Sequence, residues 1–304
     1  MIERVADPSP RPPRPSRVEP REYIELRAIK ERQPELAHVV DMYLELLEVQ
    51  RRVQTRIPIP SFELNDRVLA SHQAEARPLL RFEDIPLDPT DVRLVIRQTA
   101  EILRRFDTLD ETDFQKIQSL GRDVALLSVI ADWYRAGAEK HLTAPAAAGA
   151  ARSDNATGLP QSDSGTFDQL FTVALRPFLS RCAEAVQPRP ELVIWRHPFC
   201  AMCGAEPDLA VVTPAAERHL ICGRCGLQWK FEPLTCPYCR NSDRSRITSF
   251  ATPDGLYRVY GCDVCTRYLK AYDGRRATRP VMPVVDSVAT LPLDAAAMQR
   301  GYTG

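Results

Sequence analysis

Four short cysteine motifs stand in the last third of this 304-residue chain: Cys200-Ala-Met-Cys203, Cys222-Gly-Arg-Cys225, Cys236-Pro-Tyr-Cys239 and Cys262-Asp-Val-Cys265. Successive motifs are separated by 18, 10 and 22 residues, and together they contain eight of the nine cysteines of the chain. Close thiol pairs in a chain without an export signal are typical of metal ligands or redox groups rather than of disulfides. The motifs therefore predict metal binding in this region.

The spacing also predicts how the motifs combine. A C-x-x-C turn directs two sulfurs at one place, and a second such turn completes a tetrahedron of thiolates around Zn²⁺ or a single iron. The gaps of 18 and 22 residues each fit a short β-hairpin, whereas the gap of 10 fits a connector. We therefore expect two tandem metal sites, one formed by Cys200, Cys203, Cys222 and Cys225, the other by Cys236, Cys239, Cys262 and Cys265.

Residues beside the cysteines agree with this interpretation. Gly204 and Gly226 directly follow the second cysteine of their motifs, where the backbone must turn tightly, and Pro237 restricts the third turn. A metal with four sulfur ligands has no open position for a substrate or an activated water. The motifs thus predict no hydrolytic metal chemistry, and the metal-held turns are expected to form a surface for another polypeptide.

The overall composition excludes several other classes of protein. The chain has 40 basic and 40 acidic residues and is 44% apolar, which is typical of globular domains. It has no apolar run of the roughly 18 to 20 residues that a membrane span needs, and its proline-rich start lacks the pattern of a secretory signal. We therefore expect a cytoplasmic protein without membrane insertion.

The sequence divides into four predicted regions. Residues 1–20 read as a disordered arm rich in proline and arginine, 21–187 as a helical domain with a mobile loop over 143–165, 188–281 as a double four-cysteine metal-binding domain, and 282–304 as a C-terminal extension. The predicted fold class is accordingly multidomain, α with a small β component. An all-α N-terminal domain is followed by two tandem rubredoxin-like or zinc-ribbon modules.

Apolar spacing predicts the helices in more detail. Residues recur at helical intervals from Leu36 to Ile57, from the Asp88-Pro89 cap to Phe106, and from about Ser119 to Leu142, with Val124 on the inner face. A further helix is expected to start with a capping box at Thr166 and to kink at Pro177 before a buried Cys182. Short β-leaning segments at 210–213, 219–222, 227–231 and 256–260 predict strands, and 293–300 predicts a tail helix.

With their flanking residues, the four motifs resemble the formate dehydrogenase accessory proteins of the FdhE family. The resemblance includes Pro207 after the first motif, Trp229 after the second and Tyr268-Leu269-Lys270 after the fourth. It continues through Val285-Asp286 and Leu291-Pro-Leu-Asp294 to Gly301-Tyr302. The chain departs from the family pattern at Thr266, where a glycine is expected after the last motif.

This resemblance implies a function. Members of the family are cytoplasmic proteins, not themselves enzymes, that are needed to make active respiratory formate dehydrogenase. The expected partner is the catalytic subunit of a formate dehydrogenase that is exported by the twin-arginine route. The eight cysteines would hold two metal ions, with rubredoxin-type iron favoured by the resemblance and zinc as the alternative. The metal sites would then act as a recognition or redox-sensing module.

Two other functions stay open at the level of sequence. The region from Arg189 to Gly304 has 15 basic and 11 acidic residues, which suits a zinc-ribbon nucleic-acid-binding protein. Two divalent ions, each with four thiolates, would cancel that excess at about −2 per site, so nucleic acid is not the expected partner. A thiol oxidoreductase would need a C-x-x-C at a helix start in an alternating βα pattern, and that pattern is missing. The oligomeric state is not predicted.

Overall fold

The computed structural model describes residues 19–62, 64–143, 164–187 and 194–304. The first helices in it are α1 (Arg21–Arg32), α2 (Ala37–Gln54), α3 (Asp66–Ala74), α4 (Pro89–Arg105), α5 (Glu111–Arg122), α6 (Leu126–Thr143), α7 (Ser164–Ala174) and α8 (Arg176–Glu184). They are followed by the strands β1 (Pro207–Val212), β2 (Arg218–Cys222), β3 (Gln228–Lys230), β4 (Ile247–Ala251), β5 (Tyr257–Cys262) and β6 (Tyr268–Asp273). Helices α9 (Pro283–Ala289) and α10 (Leu291–Gln299) come last. The fold therefore mixes helices with a sheet.

Two predicted disordered segments fall mostly outside these ranges. Of the predicted arm at 1–20, residues 1–18 lie outside the described residues, as do residues 144–163 of the predicted loop at 143–165. At the edges of that loop, Thr143 ends α6, and Ser164 and Gly165 begin α7. The helical segments therefore extend slightly further than predicted on both sides.

Helix α4 forms for the reasons expected from its sequence. The Asp88 side chain accepts hydrogen bonds from the backbone N–H groups of Thr90 and Asp91 at 2.9 and 3.0 Å, and Pro89 occupies the first turn. Its apolar face is buried through Val92, Val95, Ile96, Ala100, Ile102 and Leu103. Within the described ranges, no helix is both long and apolar enough to cross a membrane.

The prediction of one helix from about Ser119 to Leu142 is wrong, because α5 and α6 replace it. The chain turns extended at Asp123, whose side chain accepts a hydrogen bond from the N–H of Ala125 at 2.8 Å and so stabilises the break. Val124, expected on the inner face, is 93% exposed. The apolar spacing predicted one continuous helix because an aspartate is compatible with the outer face of a helix. The sequence alone does not show that Asp123 instead stabilises a turn.

The predicted capping box at Thr166 is also wrong. Because α7 already begins at Ser164, Thr166 lies inside the helix, and its hydroxyl donates to the Asp113 carboxylate on α5 at 2.8 Å. The expected kink at Pro177 is instead a boundary: α7 ends before Leu175, and Pro177 lies in the first turn of α8. Cys182, on α8, is buried as predicted.

The strands of both cysteine regions form one sheet. Its order is β3-β2-β1-β6-β5-β4, with antiparallel pairing throughout except between β1 and β6, which are parallel. The pairing of β1 with β6 runs from Leu209 opposite Lys270 to Val212 opposite Asp273. The two modules expected in tandem are thus joined edge to edge. Strands β4 and β6 were not predicted. In β6 the charged Lys270 interrupts the apolar pattern, and it is buried in a 2.7 Å pair with Asp294 of α10.

One apolar core joins the helices to the first cysteine region. It extends from Met42 on α2 to Ala271 on β6 and includes Cys200, Cys203, Cys222 and Cys225. Two smaller clusters fasten the C-terminal helices: α10 packs on the sheet through Leu293 and Ala297, and α9 packs on α1 and α2 through Val285 and Val288. The C-terminal segment therefore contacts both the sheet and the helices.

Candidate metal centres

The structure brings the eight motif cysteines together in two groups of four. The first site contains Cys200, Cys203, Cys222 and Cys225, and the second site contains Cys236, Cys239, Cys262 and Cys265. Within each site all four sulfurs lie within 4.8 Å of one another. The shortest Sγ–Sγ distances are 3.4 and 3.5 Å in the first site and 3.6 and 3.7 Å in the second. A Zn–S bond of about 2.3 Å gives a tetrahedron edge of about 3.8 Å, so either site could hold a metal ion.

These distances also exclude disulfides. All nine cysteines are unpaired, and a disulfide would need an S–S distance of about 2.05 Å. The grouping of the sulfurs is the one that the spacing predicts. That the sulfurs bind metal stays a prediction, which the donor set fits.

All four motifs fold into the same backbone turn. The residue after the second cysteine donates its N–H to the carbonyl oxygen of the first cysteine, in the pairs Gly204 to Cys200, Gly226 to Cys222, Arg240 to Cys236 and Thr266 to Cys262, at 2.8 to 3.1 Å. That residue always has a positive φ, between 56° and 76°. The left-handed conformation suits glycine, which explains Gly204 and Gly226. Arg240 and Thr266 adopt it with a side chain, so the turn tolerates other residues at a cost in backbone strain.

Hydrogen bonds and burial polarise the sulfurs of the first site. The N–H groups of Arg224 and Cys225 both lie 3.4 Å from Cys222 Sγ. Burial raises the pKa of Cys222, but hydrogen bonds from the other three thiols outweigh burial and bring that pKa well below its ordinary value. Burial raises the pKa of Cys200 and Cys225 well above theirs. Four thiolates in this buried place would repel one another, and a bound cation would remove that repulsion.

The cysteine pKa values of the second site are also shifted in opposite directions, but this site is more accessible to solvent. A hydrogen bond from Cys236 lowers the pKa of Cys265 to about 5, and the same bond raises the pKa of Cys236. Burial raises the pKa of Cys239 to about 11. Cys239 and Cys265 are only partly buried, and the Asn241 amide lies 3.9 Å from Cys262 Sγ. A metal here would be nearer to solvent than one in the first site.

The first turn of the first site is docked on the helical region. Leu79 and Leu80 donate their backbone N–H groups to the carbonyl oxygens of Ala201 and Met202 at 2.8 and 2.9 Å. Ala201 and Met202 are fully buried. The carbonyl of Leu80 in turn accepts from the Tyr134 hydroxyl at 2.9 Å. Both residues between Cys200 and Cys203 therefore face protein rather than solvent.

The second turn of the first site is docked through Arg224. Its guanidinium lies over the Trp133 ring, 3.8 Å from the ring centroid, and Nη2 is 3.3 Å from an Asp168 carboxylate oxygen. The same oxygen accepts from Trp133 Nε1 at 2.7 Å. Gly137 makes the approach possible, since a Cβ there would overlap the guanidinium. The expectation that metal-held turns form an exposed surface is therefore wrong for the first site.

The second site, in contrast, exposes part of its turns. Arg240 is exposed, and Val264 at the tip of the fourth motif is 37% exposed. The end of the chain braces the other side: Tyr302 donates to Asp263 at 2.5 Å, and Thr303 N–H donates to the carbonyl of Thr266 at 2.7 Å. This contact gives the Gly301-Tyr302 pair a structural role.

Several residues that support the sites were not predicted. Arg224 stands inside the second motif, but its partners Trp133 and Asp168 are far away in sequence, and no local pattern links them. Arg267 pairs with Glu206 through two hydrogen bonds of 2.7 and 3.1 Å and lies over the Tyr238 ring. Spacing locates ligands, whereas these neighbours are found only once the chain has folded.

Comparison with known proteins gives matches in both sequence and structure. No protein-family profile matches the chain. The chain is 26% identical over 132 residues to the "Protein FdhE homolog" of Actinobacillus pleuropneumoniae, covering 42% of this chain and 43% of the relative. It is 28% identical over 107 residues to that of Cronobacter sakazakii, covering 34% of each. The chain thus spans less than half of the length of these curated relatives.

The fold is similar to a solved structure over nearly its full length. The match is to the crystal structure of the FdhE protein from Pseudomonas aeruginosa, with a TM-score of 0.58 and 17% identity. It covers 93% of this chain and 91% of the other. At this identity the likeness is one of fold.

Proposed function

From the confirmed resemblance to the FdhE family, in sequence and in fold, we propose that this protein is an accessory factor for the production of active respiratory formate dehydrogenase. The observation that carries the proposal is the pair of four-cysteine sites in a chain with that likeness. The protein would act by binding the catalytic subunit in the cytoplasm and not by turnover, since a four-sulfur site leaves no position for a substrate.

The partner would be recognised at the second site. The turns of the first site are packed against α6 and the segment around Leu79, whereas Val264 and Arg240 are exposed. The eight cysteines would hold iron or zinc, and either ion would make the turns rigid. With iron, a one-electron change would alter the charge of the second site next to this surface. Redox sensing therefore belongs to the second site in this proposal.

A genetic experiment tests the accessory role. In the native host, deletion of the gene should abolish respiratory formate oxidation while the messenger RNA of the catalytic subunit remains, and the intact gene should restore it. Normal formate dehydrogenase activity in the deletion strain would reject the accessory role.

A matched pair of variants tests the proposed surface. Val264→Glu places a charge on the exposed tip of the fourth motif, and Val124→Glu places the same charge at the exposed junction of α5 and α6. We expect Val124→Glu to restore activity and to co-purify with the catalytic subunit, and Val264→Glu to lose at least about 10-fold in subunit recovery, or about 1.4 kcal/mol. Equal recovery with both variants would place the binding surface elsewhere.

Metal analysis separates the redox part of the proposal from the rest. Protein purified without oxygen at native expression levels should contain two metal ions per chain. Iron with a rubredoxin-like absorbance spectrum would agree with redox sensing. Zinc in both sites would eliminate redox sensing and leave the recognition role intact.

A further inference from the structure

Strand β4 forms an open edge of the sheet. It comes last in the strand order, and among the described residues it pairs only with β5. The register is antiparallel and unbroken, from Ile247 opposite Cys262 to Ala251 opposite Arg258. An edge strand presents a row of backbone groups to which another chain can pair. The sheet can therefore be extended by one strand beyond β4.

The hydrogen bonds to β5 show which backbone groups of β4 point outward. Thr252 donates its N–H to the carbonyl of Tyr257 opposite it at 2.9 Å. Residues along an antiparallel pair alternate between bonding to their partner and facing away from it. Phe250 therefore bonds to β5, whereas the N–H and carbonyl groups of Ser249 and Ala251 point away from it. Within the described ranges these outward groups make no backbone hydrogen bond.

Strand β4 also lacks the features that usually prevent pairing at a sheet edge. Natural edge strands are commonly very short, carry lysine or proline, or contain a β-bulge. At the opposite edge, β3 has only three residues, one of which is Lys230. Strand β4 has five residues, Ile247-Thr-Ser-Phe-Ala251, without a charge, a proline or a shift in register. Of these two edges, β4 is the one suited to accept a further strand.

Two apolar side chains of β4 would gain contacts from such a strand. Ile247 and Phe250 lie on opposite faces of the sheet, and each is only partly buried. Phe250 packs against the cluster that contains Leu293 and Ala297 of α10. Cross-strand pairs of β-branched and aromatic side chains stabilise a sheet. An added strand with apolar residues would cover the exposed parts of both side chains.

Four arginines surround this edge. Arg244 and Arg246 directly precede β4, Arg258 lies on β5 opposite the end of β4, and the Arg300 guanidinium lies 3.8 Å from the centroid of the Phe250 ring. None of the four forms a salt bridge within the part of the chain that the structure describes. Their charges are therefore available to a partner.

The carboxylates of the same segments are engaged in local hydrogen bonds. Asp243 accepts from the N–H of Ser245 at 2.9 Å, and Asp254 accepts from the N–H of Leu256 at 3.0 Å. Asp263 accepts from two hydroxyl groups. Guanidinium groups form their strongest hydrogen bonds with carboxylates. The arginines at this edge therefore favour a partner that supplies acidic side chains.

A polypeptide fits this edge better than a nucleic acid does. Only a polypeptide backbone offers N–H and carbonyl groups at the spacing of a strand. A nucleic-acid strand carries a charge at every phosphate. Cys262 of the second site lies opposite Ile247, and a divalent ion with four thiolates there would carry about −2. A peptide can place its separate carboxylates beside the arginines and away from that charge.

We propose that the open edge of β4 binds an extended acidic segment of a partner protein by strand addition. The segment would pair with the outward backbone groups of Ser249 and Ala251 and place its carboxylates beside the four arginines. This inference deepens the accessory role and rests on it only for the identity of the partner, the catalytic subunit. A peptide assay tests the edge by itself, so a failure there leaves the accessory role to its own genetic test.

Amide hydrogen exchange measured by NMR tests the proposal. The full zinc-loaded chain, dilute enough to be monomeric by light scattering, is titrated with the end-blocked peptide Glu-Val-Glu-Val-Glu-Val-Glu. We expect saturable binding below about 1 mM and exchange slower by at least about 10-fold at the amides of Ser249 and Ala251. The amides of Gln228 and Lys230, at the opposite edge, should not change.

Control peptides separate backbone pairing from charge. The same peptide N-methylated at its three central residues keeps its carboxylates but loses the donors that strand pairing needs, so it should not bind. A peptide with lysine in place of glutamate keeps the donors, and it should bind at least about 10-fold more weakly because it meets the arginines with like charge.

Protein variants make the same separation on the other side. Ser249→Pro removes an outward donor without breaking a bond to β5, and it should abolish peptide binding, whereas Ser249→Ala should leave binding unchanged. If Ser249→Pro does not fold, the N-methylated peptide decides the question. Arg244→Gln combined with Arg246→Gln should weaken binding at least about 10-fold.

Three outcomes overturn the proposal. The first is equal binding of the N-methylated peptide. The second is a strand of ten deoxythymidines that binds more tightly than the acidic peptide. The third is slow exchange at Ser249 and Ala251 before any peptide is added, which would mean that a second copy or another segment of this chain already covers the edge.

Discussion

Two glycines at equivalent turn positions give the sharpest test at the scale of single residues. Gly204 and Gly226 have similar φ values of 72° and 76°. A Cβ added at Gly204 would lie 2.7 Å from Pro78 and 2.9 Å from Ala138. A Cβ added at Gly226 would meet nothing within 4 Å. Gly226→Ala should therefore lower the free energy of unfolding by about 1 to 2 kcal/mol through backbone strain.

Gly204→Ala should cost about 2 kcal/mol more than Gly226→Ala, because the added methyl group also pushes the first turn away from α6. Denaturant unfolding of the metal-loaded variants measures the difference. Equal losses would show that the first turn is not packed as the structure has it.

At Thr266, a substitution to glycine should stabilise the protein. It is β-branched at a φ of 56°, a conformation in which such residues are rare. Thr266→Gly should raise the free energy of unfolding by about 0.5 to 1 kcal/mol, since the relief of strain exceeds the entropy that a glycine adds to the unfolded chain. The carbonyl contact to Thr303 would remain. Thermal unfolding checks this, with Arg240→Gly as a comparison that should gain less, and a loss of stability with Thr266→Gly would contradict it.

At the scale of elements, Asp286 anchors α9. Its buried carboxylate accepts hydrogen bonds from the Tyr257 hydroxyl at 2.7 Å, from Arg279 Nη2 at 2.6 Å and from the Met282 N–H at 2.6 Å. Asp286→Asn keeps the shape but puts an amide donor against these donors. We expect a loss of about 3 kcal/mol and faster hydrogen exchange throughout α9.

The control for the Asp286 variant is an exposed ion pair whose N–O distance is similar to that between Arg279 and Asp286. Arg52 and Glu48 are 2.8 Å apart on α2, with both side chains more than half exposed. Glu48→Gln should cost less than about 0.5 kcal/mol, because solvent screens such pairs. If both variants lose the same amount, the Asp286 carboxylate does not hold α9 in place.

At the scale of the whole molecule, the two sites should respond differently to loss of metal. The first site is part of the core that includes the helices, whereas Cys239 and Cys265 of the second site are partly exposed. A chelator should therefore remove the second ion first. Structural zinc sites contribute about 10 to 16 kcal/mol of apparent binding free energy, so loss of the first ion should loosen the helical region as well.

Hydrogen exchange at two backbone amides reports this coupling. Leu79 and Leu80 donate to the first turn of the first site. Cys203→Ser should accelerate exchange at both amides at least 10-fold, whereas Cys239→Ser should leave them unchanged. The same acceleration in both variants would mean that the two sites unfold together.

Short-range patterns explain what could be predicted. Each cysteine turn is closed by a hydrogen bond that spans only a few residues, as between Gly204 and Cys200, and the start of α4 follows from one cap at Asp88. The break at Asp123 and the buried strand β6 were missed. Lys270 in that strand is buried only because Asp294 reaches it from α10.

The sequence by itself determined which cysteines group together and the likeness to the FdhE family, because these depend on residue type and spacing along the chain. Only the tertiary structure decided which site is buried, how β1 and β6 merge the two modules into one sheet, and that Arg224 packs on Trp133 and Asp168. The physical reason is that these features arise from contacts between segments far apart in the chain, whose free energy depends on the packing of the whole molecule.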